Sequence, residues 1–177
     1  GKTALALRLA DMLQDAAVVL FDDYEGSSLI PESFQTWFDD GADYDAIETP
    51  LFTDHIRSLR GGKAVKSPVG GSTIGPAKYI VVDATLGRIH SDSGRYLDFM
   101  VFIDTPLDVA MARRLLRDLT LANAKNATDT VANVKAETEA YLSGARRIYT
   151  SFVERVRPTC DLVLDGSLSL DELASEV

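Results

Sequence analysis

The sequence is short of the residues that build disulfides and metal centres. It has one cysteine, Cys160, and two histidines, His55 and His90. A single cysteine excludes an internal disulfide and any multi-cysteine metal site. Two scattered histidines offer no zinc-ligand spacing. Basic residues are scarce as well: 18 Lys and Arg stand against 27 Asp and Glu, a formal net charge of −9. That balance argues against a broad surface for duplex nucleic acid or an anionic membrane, so an anionic ligand must be held by a local arrangement. No run approaches the roughly 18 apolar residues of a membrane span. The expectation is a protein of a reducing, cytoplasmic compartment with a small-molecule partner and no nucleic-acid or membrane partner.

What the sequence does contain is a core. At 177 residues and 46% hydrophobic content, residues 1–177 suffice for a single domain that buries roughly two-thirds of its unfolded surface. Four apolar runs, Ala17–Phe21, Tyr79–Val82, Phe99–Ile103 and Leu162–Leu164, lack alternation, as strands buried on both faces do. Helical stripes lie between them: Leu5, Leu9, Met12 and Leu13; Val109, Ala112, Leu116 and Leu119; and a long one from Val134 to Phe152. Thr49-Pro50 and Thr105-Pro106 read as a capping hydroxyl before a proline at the first helical position. Ser169 with Glu172 reads as a capping box, and Gly61-Gly62 as a helix stop. The stretch 67–76 reads as a flexible loop and 120–130 as a polar break. Strands separated by helices predict an α/β fold, with a parallel sheet, right-handed crossovers and helices on both faces. An acidic domain of this architecture is compatible with a homodimer.

Each predicted strand is followed at once by an aspartate: Asp22, Asp83, Asp104 and Asp165. Carboxyl ends of parallel strands are where ligands bind in such sheets. Asp104 and Asp165 read better as turn or cap residues. Gly1-Lys2-Thr3 runs straight into a helix, as the second half of the phosphate-binding pattern G-x-x-x-x-G-K-[ST] does. There the glycine lets the backbone close on phosphate oxygens, and the helix N-terminus supplies positive potential. Lys2 would reach the β and γ phosphates of ATP, and the Thr3 hydroxyl would ligate Mg2+. In a phosphate-loop fold the strand before this motif lies inside the sheet. The natural polypeptide is therefore expected to extend upstream by a strand and a glycine-rich turn, roughly 10 to 20 residues.

Three segments together resemble the uridine kinase, phosphoribulokinase and nicotinamide riboside kinase group of P-loop kinases. They are Val18-Val19-Leu20-Phe21-Asp22-Asp23-Tyr24 with its D-x-[FY] ending; Asp104-Thr105-Pro106-Leu107-Asp108-Val109 followed by Ala112-Arg113-Arg114-Leu115-Leu116-Arg117-Asp118; and Cys160-Asp161-Leu162-Val163-Leu164. The resemblance implies a P-loop fold with a small helical lid at about residues 113–130, and transfer of the γ-phosphoryl group of ATP to a hydroxyl of a nucleoside-like or sugar-like acceptor. It makes Asp22 the general base, with Asp23 as the alternative on the substrate side. It places Asp83 where the group carries an acidic residue for Mg2+ or for orienting the attacking group, here followed by Ala84 instead of glycine.

Arg113 and Arg117 share one helical face with Arg114 beside them, and the resemblance assigns them to the phosphates. The group's next arginine-rich stretch is absent, with Lys125 the only cation there. Tyr44-Asp45 resembles the position of a ribose-binding carboxylate, though Asp39, Asp40, Asp43 and Glu48 crowd the same region. Trp37 and Phe38 read as core or as a pocket wall, with core the commoner explanation. Arg88 and Arg95 read as surface cations. Residues 67–76 lack the aromatic and histidine pattern by which uridine kinases recognise their base. Two other functions fit the same residues: a nucleotide-binding regulatory protein with reduced chemistry, and an NTPase that needs no acceptor.

Overall fold

The computed structural model describes residues 1–121 and 127–177. In chain order the elements are α1 (Lys2–Leu13), β1 (Ala16–Leu20), α2 (Phe34–Asp39), α3 (Pro50–Arg60), β2 (Val65–Lys66), β3 (Thr73–Ile74), β4 (Tyr79–Asp83), α4 (Ser91–Gly94), β5 (Val101–Asp104), α5 (Leu107–Leu121), α6 (Ala127–Ala140), α7 (Arg146–Val156), β6 (Leu162–Asp165) and α8 (Leu170–Ser175). The four apolar runs form strands within two residues of their predicted bounds, and they pair in parallel. β1 lies beside β4, with Val19 opposite Val82 and Leu20 opposite Asp83. β5 lies beside β6, with Asp104 opposite Asp165.

The strands differ from a single continuous sheet in one respect. Among the described residues they form two parallel pairs, β1–β4 and β5–β6, and no described strand joins β4 to β5. Helix α1 packs on β1, β4 and α8. Its Leu5 is buried with Leu164, Leu173 and Ala174, and Leu9, Val101 and Ile103 pack against that cluster. One helix therefore serves both strand pairs. α3 covers the β1–β4 pair by burying Phe52, Ile56 and Leu59 with Val19 and Tyr24. A third cluster, Trp37, Ala42, Tyr44, Ile47 and Leu86, is closed by Phe152 and Ile148 of α7, so Trp37 is core.

Several local expectations change. Residues 67–76 are not simply loop: Val65 pairs with Ile74 and Lys66 with Thr73 in a short antiparallel hairpin. Its tip is closed by the Ser67 N–H donating to the Ser72 carbonyl at 2.8 Å, and Gly70 and Gly71 take positive φ there. Two-residue strands carry no readable periodicity, which is why the composition of the tip dominates the sequence pattern. The long third helix is broken into α6 and α7 by a π-helical turn at Tyr141–Ala145. Thr49 does occupy the N-cap of α3, with Pro50 following, but its hydroxyl meets the Thr53 hydroxyl at 3.3 Å and caps no backbone N–H. The Ser169–Glu172 capping box and the stop at Gly61-Gly62 form as expected. Lys125 and the centre of the 120–130 break lie outside the described residues.

The end of β6 is a tight spot. A Cβ on Gly166 would lie 1.9 Å from Thr105 Oγ1 and 2.8 Å from Thr105 Cα. Backbone cannot yield as a flexible side chain does, so Gly166→Ala should destabilise the protein by about 1–3 kcal/mol. Urea unfolding midpoints of the two proteins measure it.

Candidate active site

The first turn of α1 has no side-chain cap. Gly1 is its N-cap, and the first turn holds no acidic residue. Uncapped N–H groups and the helix dipole together create positive potential at this point. Thr3 points its hydroxyl at the end of β4 and donates to Asp83 Oδ2 at 2.5 Å. Asp83 is only 8% exposed, and a buried carboxylate needs such a donor. Because Leu20 is the register partner of Asp83, the turn Phe21–Ser27 leaves the sheet at the same end. That turn carries Asp22, exposed, and Asp23, half-buried.

Positive charge converges on the same place. The charges of Lys2, of Asp83 and of Arg113 and Arg117 on α5 all reach the nitrogen of Gly1, and Thr3 is bonded to Asp83. Arg113 is anchored by donating from Nη1 to the Gly166 carbonyl at 2.6 Å. Arg114 leaves this cluster: its Nη2 lies 2.8 Å from Glu137 Oε1 on α6, with Asp118 at 3.9 Å. Arg117 Nε meets Asp118 Oδ1 at 2.9 Å. A cleft of about 340 Å³ between α5 and α6 is lined by Arg114, Arg117, Asp118 and Glu137.

Asp45 sits elsewhere in the fold. It accepts from the Ser91 N–H and the Ser91 hydroxyl, both at 2.8 Å, and so ties the Tyr44–Ala46 turn to α4. Its carboxyl is held below the usual carboxylate range by the Ser91 N–H first and the Ser91 hydroxyl second. Asp104 is within 3.1 Å of Arg157 Nε, and Asp165 accepts from the Ser167 N–H at 2.8 Å. Asp165 thus has the turn role expected of it, whereas Asp104, expected as a turn or cap residue, instead forms an ion pair with Arg157 from a distant part of the chain.

Some connections have no local sequence signal. Arg88 is a staple, donating to the carbonyls of Leu97, Asp98 and Thr159 and to Asp161 Oδ2. Its partners lie up to 73 residues away. His55 pairs with the Tyr24 hydroxyl at 2.9 Å inside the core. The i, i+3, i+4 spacing of Phe52, His55, Ile56 and Leu59 on α3 signals that His55 shares the buried face.

Two oxygen donors, Thr3 and Asp83, in contact beside an anion-facing helix end fit Mg2+. This ion binds through one or two protein oxygens with phosphate and water completing the shell. Among the described residues no group of three or more His, Cys, Asp or Glu could hold a metal ion by itself. No helix among the described residues is long and apolar enough to cross a membrane.

Asp45 gives a signed pH test. A carboxyl whose pKa is lower folded than unfolded adds stability above the unfolded value and loses it as pH falls through the folded value. Asp45→Ala should be less stable than the parent at about pH 7, with the gap closing as pH drops below the ordinary Asp value of about 3.9. Urea midpoints across that range read it.

No protein-family model matches the sequence. It is similar to the uridine kinase of Borrelia turicatae, 23% identical over 175 residues that cover 93% of this chain and 80% of that protein. With the uridine kinase of Chlamydia pneumoniae the identity is 25% over 94% of this chain and 77% of the relative. With that of Tolumonas auensis it is 26% over 93% and 80%. A P-loop fold follows from these relationships, and over nearly its whole length the chain is a distant homologue of the uridine kinases, within the P-loop kinase group.

Proposed function

We propose that the protein is an ATP-dependent kinase that transfers the γ-phosphoryl group to a hydroxyl of a nucleoside-like or sugar-like acceptor. The observation that carries this reading is the Thr3 hydroxyl on buried Asp83, next to the first turn of α1, where the charges of Lys2, Arg113 and Arg117 reach the Gly1 nitrogen. On an acidic chain, that local concentration of donors has one evident use, which is to hold a polyanion.

In this reading the N–H groups of the first turn of α1 and Lys2 hold the β and γ phosphates of ATP. Thr3 and Asp83 hold Mg2+, which when bound would neutralise charge on the phosphate oxygens. Asp22 accepts the proton of the acceptor hydroxyl as its oxygen bonds to the γ-phosphorus, and the bond from that phosphorus to the β–γ bridging oxygen breaks to release ADP. An exposed carboxylate is a sufficient base, because the hydroxyl gives up its proton late and positioning supplies most of the rate. Arg113 and Arg117 stabilise charge on the transferring group. Arg114 joins them once it exchanges Glu137 for a phosphate.

The resemblance assigns base recognition to the segment 67–76, whose hairpin tip here carries Pro68, Val69, Gly70 and Gly71 and no aromatic ring to stack on a base. This favours an acceptor recognised through its hydroxyls, and it speaks against uridine itself. Asp45 reaches a ribose in this scheme only by giving up Ser91, so Asp23, at the strand end, is the nearer candidate for an acceptor hydroxyl.

The test is acceptor-dependent ADP release across nucleosides, sugars and pantothenate-like alcohols. The reading expects Asp22→Asn to lower kcat by about 10²–10⁴-fold with ATP affinity unchanged within about twofold. A protein that binds ATP but turns over no acceptor is a nucleotide-binding regulator, and one that hydrolyses ATP without an acceptor is an NTPase. Thr3→Val should raise the Mg2+ concentration needed for half-maximal nucleotide binding, as followed by titration calorimetry.

A further inference from the structure

The proposed chemistry leaves one buried polar pair unused. Tyr24 is 1% exposed and His55 is 8% exposed, and the Tyr24 hydroxyl lies 2.9 Å from His55 Nδ1. The rings meet edge to face at 5.4 Å, and Phe52 packs edge-on against Tyr24 at 5.3 Å and against Phe21 at 5.1 Å. Burial first, and the charge of Asp23 second, push the Tyr24 phenol up to about 12, so it keeps its proton and can donate it to the imidazole.

The backbone of Tyr24 is held as well. The hydroxyls of Ser27 and Ser28 both donate to its carbonyl at 2.9 Å. Tyr24 is therefore the fixed point of the turn Phe21–Ser27, whose Asp22 and Asp23 make no hydrogen bond or ion pair of their own among the described residues. A phenylalanine facing a leucine would fill the same space. A hydrogen bond adds direction, because a buried hydroxyl that slides away from its partner is left unsatisfied.

We propose that the Tyr24–His55 hydrogen bond is a positioning strut, by which helix α3 fixes the turn that presents Asp22 to the acceptor. Tyr24 and His55 are positioning residues: both are buried in the core and act through Asp22. The inference rests on the kinase reading for its effect on rate, but not for its effect on the turn.

The test uses Tyr24→Phe, which keeps the ring, with His55→Leu and the double variant beside it. Tyr24→Phe should lower kcat by about 10–100-fold, since a displaced catalytic group costs that much, while the KM for ATP stays within about twofold. Amide exchange at residues 22–28 should quicken, with α1 and β4 unchanged. The double variant should be no slower than the worse single one, because both remove the same bond, and His55→Gln, which offers an acceptor again, should recover part of the rate. A lower melting temperature with kcat unchanged on the folded protein would overturn the strut, and so would unchanged exchange at 22–28. Should the parent protein show no acceptor-dependent turnover, the kinase reading falls and the exchange result alone decides whether the strut exists.

Discussion

The contact between Thr3 and Asp83 joins two parts of the chain 80 residues apart, and the rest of the architecture is arranged so that it can form. A carboxylate buried at the end of a strand is costly unless a donor reaches it. The donor comes from the first turn of α1, whose axis is fixed by Leu5 in the core beside Leu164 and Leu173. Sliding α1 along the sheet would expose Leu5 and orphan Asp83 together. Hydrophobic packing and one polar contact thus set the same register, and they bring the helix end that attracts anions to the strand ends.

The overall charge of −9 makes this localisation matter. A protein with that balance repels a triphosphate at long range, although the Debye length of about 8 Å at physiological salt limits how far the repulsion reaches. Within that distance the local sum counts. Lys2, Arg113, Arg117 and the N-terminus of α1 oppose Asp83 and the exposed Asp22. On the proposed reading the cations of α1 and α5 face the phosphates, and Asp22 faces the acceptor.

Much of this was legible in the sequence. β-branched runs mark the parallel strands, though not strands buried on both faces, since β5 is half-buried throughout and Val163 of β6 is exposed, and the strand ends then locate Asp22 and Asp83 without any contact being known. What stays hidden is long-range pairing. Nothing near Asp45 announces Ser91, and nothing near Arg88 announces the carbonyls of Leu97 and Thr159 that make it a staple instead of a surface cation. The hairpin at 65–74 escapes because two-residue strands have no period, and the break at 141–145 because apolar spacing continues through it. His55 reads as a lone helical histidine until the fold brings Tyr24 to it from 31 residues away.

The three arginines of α5 differ in what it costs to redirect them. Arg113 is half committed, anchored on the Gly166 carbonyl at a turn so close to Thr105 that only glycine fits. Its position is a property of the fold. Arg114 and Arg117 are held by Glu137 and Asp118 in pairs that are substantially exposed, and such pairs contribute about 0–1 kcal/mol. A polyphosphate offers several charged oxygens in place of one carboxylate, so it competes for these two side chains at little cost. On the proposed reading α5 then divides its work. Arg113 is fixed before the nucleotide arrives, Arg117 stays beside it with only an exposed neighbouring carboxylate to release, and Arg114 is stored on Glu137 until a stronger anion draws it away.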